Sequence, residues 1–255
     1  MSDYDRYANA RYGAGLARSS AAVDQGLRAY MLGVYNYMTL GVGLTGVVAY
    51  FTYLLADVHF VGARIVSASP FGQALFFSPL RWVVIFAPLA LVFAISAGRN
   101  AMSVSTTRLV FLAFAALMGL SLSTVFLVYT QASITQVFFV TAASFGALSL
   151  YGYTTSRSLS AMGSFLMMGL FGLIIASVVN LFLQSGAFQY MLSLIGVGIF
   201  AGLTAWDTQA IKDSYFAGDA YETSEKKSIF GALRLYLDFI NMFQYLLLLM
   251  GNRRD

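Results

Sequence analysis

Residues 189–206, QYMLSLIGVGIFAGLTAW, pass without a single charged side chain, in one of seven long apolar stretches in the chain. About 20 apolar residues are what a helix needs to cross the hydrocarbon of a bilayer. Inside lipid every backbone N–H and C=O must be satisfied by the protein itself, which leaves only helices or a closed barrel. A barrel would show alternating strands of about 10 residues, whereas these runs last roughly twice that. They are read as helices over 29–55, 81–98, 108–130, 134–154, 163–184, 188–211 and 229–250. The expected fold class is an all-α integral membrane protein, a seven-transmembrane-helix bundle. Composition agrees: charged residues make up 10% of the chain, against about 25% in soluble domains, too few to cover a water-facing surface. The absence of cysteine removes disulfide and thiolate chemistry.

Residues 1–27 are polar and of mixed charge, and lack the apolar core and small-residue cleavage site of a signal peptide. They are expected to form a flexible cytoplasmic tail before a transmembrane domain at 28–255. The longest loop, between the first two segments, holds SASPFGQALFFSP and reads equally as an interfacial dip or an ordinary loop. Short connections make segments three and four, and five and six, antiparallel neighbours. Gly198 with Gly202, and Gly41 with Thr45 and Ala49, are spaced for close helix packing.

Loop cations set orientation. With the N-terminus inside, Arg6, Arg11, Arg18, Arg28, Arg99, Arg108, Arg157, Lys212, Lys226 and Lys227 are cytoplasmic, and Arg64, Arg81, Arg253 and Arg254 are outside. That balance favours a cytoplasmic N-terminus. The terminal GNRRD would prefer the inside, which leaves open a re-entrant last segment.

Two acids fall at membrane depth, Asp207 in segment six and Asp238 in segment seven. Each costs about 2.5–3.5 kcal/mol at a helix centre on insertion scales. The segments are antiparallel, which brings both carboxyls toward the cytoplasmic side. Arg234, Asn241 and Tyr245 share the stripe of Asp238 at i−4, i+3 and i+7, so segment seven should face protein or water. Arg99, at the cytoplasmic end of segment two, could reach a buried carboxylate or act as a plain positive-inside anchor. Two carboxyls within hydrogen-bond reach cannot both ionise easily and share one proton, which makes a pH-responsive element. They are also the minimum attractive site for a transient calcium ion. The alternative is that they only lock the fold, through backbone or Arg234.

AWDTQAIK, LYLDFINMF and AFAALMGLSLSTVFLVY resemble the signature stretches of the Bax inhibitor-1 (transmembrane Bax inhibitor motif) family, bacterial branch. The resemblance covers all seven segments and implies a bundle with the last helix central. It further implies a pH-sensitive calcium leak channel of the bacterial inner membrane, with Asp207 and Asp238 as the proton-sharing pair. Arg99 fits the arginine that latches the first aspartate in the shut state. Arg234 departs from the small or polar residue expected there; pointing inward it would oppose a passing Ca²⁺, and snorkelling to the cytoplasmic surface it would change little. The family resemblance also implies an alternative, a membrane-embedded regulator of a quality-control protease or of cell-death machinery. An intramembrane aspartyl protease would carry Gly-x-Gly-Asp where this chain reads Leu235-Tyr236-Leu237-Asp238. No enzyme activity, no cofactor and no nucleic-acid partner are expected; the partners expected are the lipid bilayer, protons, calcium ions and other membrane proteins. His59 is the sole histidine, which excludes a histidine metal site or triad.

Overall fold

A computed structural model describes residues 3–62, 64–99 and 101–254, with side chains from residue 23 onward. Helix α1 spans Asp3–Ala56. A two-stranded antiparallel hairpin follows, β1 (His59–Val61) and β2 (Arg64–Ser67), and then a short turn α2 (Pro70–Gly72) that widens into a π-helical turn over Gln73–Phe77. The remaining helices are α3 (Leu80–Gly98), α4 (Val104–Leu122), α5 (Val125–Val128), α6 (Gln131–Thr154), α7 (Ser160–Leu183), α8 (Gly186–Asp213) and α9 (Tyr221–Met250). Seven spans are long and apolar enough to cross a membrane: Val23–Ala56, α3, Val104–Val128, α6, α7, α8 and α9. The protein is an all-α membrane bundle.

Residue 27, the expected end of a tail, falls inside α1, whose backbone runs unbroken from Asp3. The side chains of Arg6, Arg11 and Arg18 lie outside the described residues. The hairpin was not expected. It turns at Gly62, whose φ of 60° suits a residue without Cβ. Below it Leu75 and Phe76 of the π turn pack on Ala56 and Val58 in a small separate core, while Phe71 and Phe77 stay exposed. The SASPFGQALFFSP stretch is thus a folded cap on the α1 end.

The last helix spans the bundle and does not re-enter. Its thirty residues cover ~45 Å at 1.5 Å each. The chain beyond it pairs with the α5–α6 turn, Tyr129 opposite Arg253, at the end away from the α8–α9 loop. Backbone N–H groups of Thr130 and Arg254 donate to Asn252 and Val128, and Arg254 Nη2 donates to the Tyr53 hydroxyl. Half of the apolar window of α9 is buried, against 11% for α3 and 17% for α7. It packs on α8, α1, α6 and α4. Its helix starts eight residues before the apolar run at 229, because Tyr221–Ser228 continue as an amphipathic extension.

Helix contacts follow the small residues, though not always the expected ones. Gly202 packs on Leu166 of α7, but Gly198 faces open space. Gly41 lies against Phe111 and the Tyr236 ring, and Thr45 and Ala49 are buried. The closest approach to backbone is at Gly152 of α6, where a Cβ would stand 2.2 Å from the backbone oxygen of Ala205 on α8. A carbonyl in a helix cannot give way as a side chain can. Gly152→Val should therefore lower stability by about 1–3 kcal/mol, read as thermal unfolding in detergent. Gly146→Ala on the same helix meets nothing within 4 Å and should leave the midpoint unchanged or slightly raised.

Candidate functional site

Helices α8 and α9 lie antiparallel against each other. Two glycines permit this: a Cβ on Gly196 would meet the Tyr245 ring at 2.7 Å, and one on Gly231 would meet Ile211 at 3.1 Å. Near the α8–α9 loop, Asp207 on α8 and Asp238 on α9 are 6% and 4% exposed. Asp207 faces α9, where it meets Arg234, and Asp238 is buried one turn from that arginine on α9. Oδ2 of Asp238 is buried with no hydrogen-bond partner among the described residues.

Arg234 makes the kind of contact that the fold-locking alternative named for the aspartates. It is one turn from Asp238 on α9, yet it ion-pairs across the interface with Oδ1 of Asp207. Its guanidinium also lies 5.5 Å from the centre of the Trp206 ring. Trp206 is held in turn by α7, where any Cβ on Gly163 would run into the indole. The Arg234 side chain is 46% exposed, so its head is only partly covered where it meets the buried acid. Arg234 thus points toward the acidic pair and does not snorkel away from it.

Arg99, the expected latch, rests against α9. It follows the last residue of α3, and its guanidinium sits 4.8 Å over the Phe230 ring. It makes no ion pair among the described residues, because α3 leans on α4 and stands away from α8. Asn241 spends its amide on the Leu237 carbonyl of its own helix, at 2.8 Å. Two carboxyls, one already held by Arg234, fall short of the roughly six to eight oxygens a resident calcium ion takes. No group of three or more His, Cys, Asp or Glu side chains suited to a metal occurs among the described residues.

Sequence reading missed the polar braces around this centre. Glu225, in the early turns of α9, accepts from the Tyr37 hydroxyl at 2.5 Å and from Arg108 at 2.8 Å, joining α9 to α1 and α4. Lys227 donates to Asp219 in the loop at 2.6 Å. A hydroxyl chain runs from Tyr35 through Ser149 to Thr208, at 2.7 and 2.9 Å. Only the sign of the charges hinted at the first two braces, and nothing local in the sequence marked the third.

Seven apolar spans enclosing an ion-paired carboxylate beside a second buried carboxyl make this an integral membrane protein with an internal ionisable centre. The chain belongs to the family described as inhibitor of apoptosis-promoting Bax1, the Bax inhibitor-1 family, whose model matches residues 27–255. It is 46% identical over 232 residues to inner membrane protein YbhL of Escherichia coli (strain K12), covering 90% of this chain and 94% of that protein. It is also 47% identical over 232 residues to the uncharacterized protein RP147 of Rickettsia prowazekii (strain Madrid E), covering 91% of this chain and 93% of that one. A protein of Lactococcus lactis, YrjE, is 40% identical over 230 residues, 89% and 92% of the two chains.

The Arg234–Asp207 contact should show up as pairwise coupling. Arg234→Gln and Asp207→Asn should each destabilise the protein in detergent. The double variant should lose less than the sum, by about 0.5–3 kcal/mol, measured as a double-mutant cycle of unfolding.

Proposed function

We propose that the chain is a proton-regulated cation leak path, with calcium as the permeant ion, in a bacterial inner membrane. Its N-terminus lies in the cytoplasm. Asp207 and Asp238 share a proton, and Arg234 latches Asp207 in the shut state. The observation that carries this reading is two buried carboxyls on adjacent helices, with one oxygen of Asp238 left without a donor among the described residues. In hydrocarbon such an arrangement is costly unless a proton or a cation completes it. With the proton in place, one carboxyl donates to the other and α8 and α9 are tied together. Loss of the proton leaves two like charges in a dry setting, which repel and draw in a cation. Arg234 of α9 touches the pair, while Arg99 of α3 and Lys227 of α9 face the cavity that leads to it.

The inner-membrane location rests on the name of the Escherichia coli relative, and the orientation on the cations around the α8–α9 loop end. No bond-making chemistry is assigned to the site, and no cofactor. A second reading, a regulator of other membrane proteins without transport of its own, draws on the family's description as an inhibitor.

Calcium flux into proteoliposomes separates the two. Wild-type flux should rise as pH rises, because each lost proton unties the helices. Asp207→Asn and Asp238→Asn should each flatten that dependence, since an amide has no proton to lose in this range. Arg234→Gln should raise resting leak more than Arg99→Gln. A wild-type pH profile kept by both asparagine variants excludes the proton-sharing mechanism, and no flux at any pH leaves the regulator.

A further inference from the structure

A cavity of about 340 Å³ opens near the α8–α9 loop, where α3 stands away from α8 and α9. Three cations line it, Arg99 from α3 and Lys227 and Arg234 from α9. Tyr30, Ser96 and Ser214 line it as well, the two serine hydroxyls donating to the Val92 and Ile211 carbonyls, and among the described residues no carboxylate lines it. Lys227 and Arg234 are ion-paired with Asp219 and Asp207. Arg99 has no acidic partner among the described residues and rests on Phe230. The deeper wall, with Val92, Ile95 and Leu237, is apolar.

Three cationic residues and three hydroxyl residues line one space, and of the cations Arg99 alone has no acidic partner among the described residues. We propose that this cavity binds a phosphate oxyanion, either free phosphate or the headgroup phosphate of an anionic lipid. Arginine matches such an anion with its forked donors, lysine supplies a point charge, and hydroxyls fill the remaining acceptor positions. The volume takes a phosphate group with room to spare. The apolar rear wall would suit the first part of an acyl chain if the donor is a lipid. The site differs from the aspartate pair: it is cationic, faces the loop end, and needs no transport to be detected.

Binding is measured on the full chain, first with inorganic phosphate by isothermal titration in an uncharged detergent. Phosphatidylglycerol retained through native mass spectrometry, with phosphatidylcholine as the neutral control, forms the second arm. Saturable binding should appear in at least one arm. It should weaken tenfold or more in Arg99→Gln, an exposed position whose loss does not threaten the fold, and in Ser96→Glu, which adds a negative wall. Arg64→Gln, a cation on the hairpin at the other end, should bind as wild type. Binding of phosphate without phosphatidylglycerol assigns the site to a free anion, and the reverse assigns it to the lipid. No saturable binding in either arm, or binding unchanged by both cavity variants, overturns the proposal. Neither readout involves calcium flux, so a failed channel reading and a failed anion site are told apart.

Discussion

A carboxylate carried into hydrocarbon must meet a cation, a donor or a proton, and here that demand falls on a single contact between the last two helices. Asp207 meets it with Arg234. Asp238 has no such cation of its own, and one of its oxygens is left bare. Removing one partner from a buried ion pair strands a charge and costs far more than the pair itself contributes. The interface of α8 and α9 is thus fixed electrostatically as well as by the glycines that let the helices close. Arg234 can serve because it is only partly buried: its stem lies in the interface and its head reaches both water and acid.

The rest of the bundle is arranged around that interface unevenly. Helix α9 is the most buried span, while α3 and α7 offer most of their surface to lipid. Exposed Trp82, Phe86 and Phe93 on α3, and Phe165, Phe171 and Ile175 on α7, are at home in such a setting. Peripheral position has a consequence for α3. It leans on α4 alone among the long helices, and the gap it leaves toward α8 and α9 becomes the cationic cavity.

Span existence and the buried acids were legible because both leave local marks: long charge-free runs, and two aspartates where none is affordable. The contacts of the arginines were not legible. Spacing along α9 places Arg234 beside Asp238, but the choice between Asp238 and Asp207 depends on how α8 is rotated about its axis, which no local pattern records. Sequence likewise gives the depth of Arg99 in the membrane and not the lateral distance of α3 from α8, so its contact with Phe230 was not legible. The hairpin and π turn between α1 and α3 were hidden because the seven strand residues, six of them exposed, carry no apolar alternation. The early start of α9 was hidden because Tyr221–Ser228 are polar, and their helix is held by Glu225 and Lys227 bonding to other elements.

These braces also bear on what can move. Near its start, α9 is bound to α1 and α4 through Glu225. Past its end, residues 252–254 are stitched by backbone bonds to the α5–α6 turn, with Arg254 stacked over Phe60. A helix pinned at both ends resists sliding along its axis. Separation of Asp207 from Arg234 is then easier through a swing of the guanidinium or a shift of α8 than through travel of α9. Arg234 lines the cavity that α3 leaves open, together with Arg99 and Lys227. If Arg234 releases Asp207 as proposed and swings into that cavity, an anion held there would lower the electrostatic cost of the move.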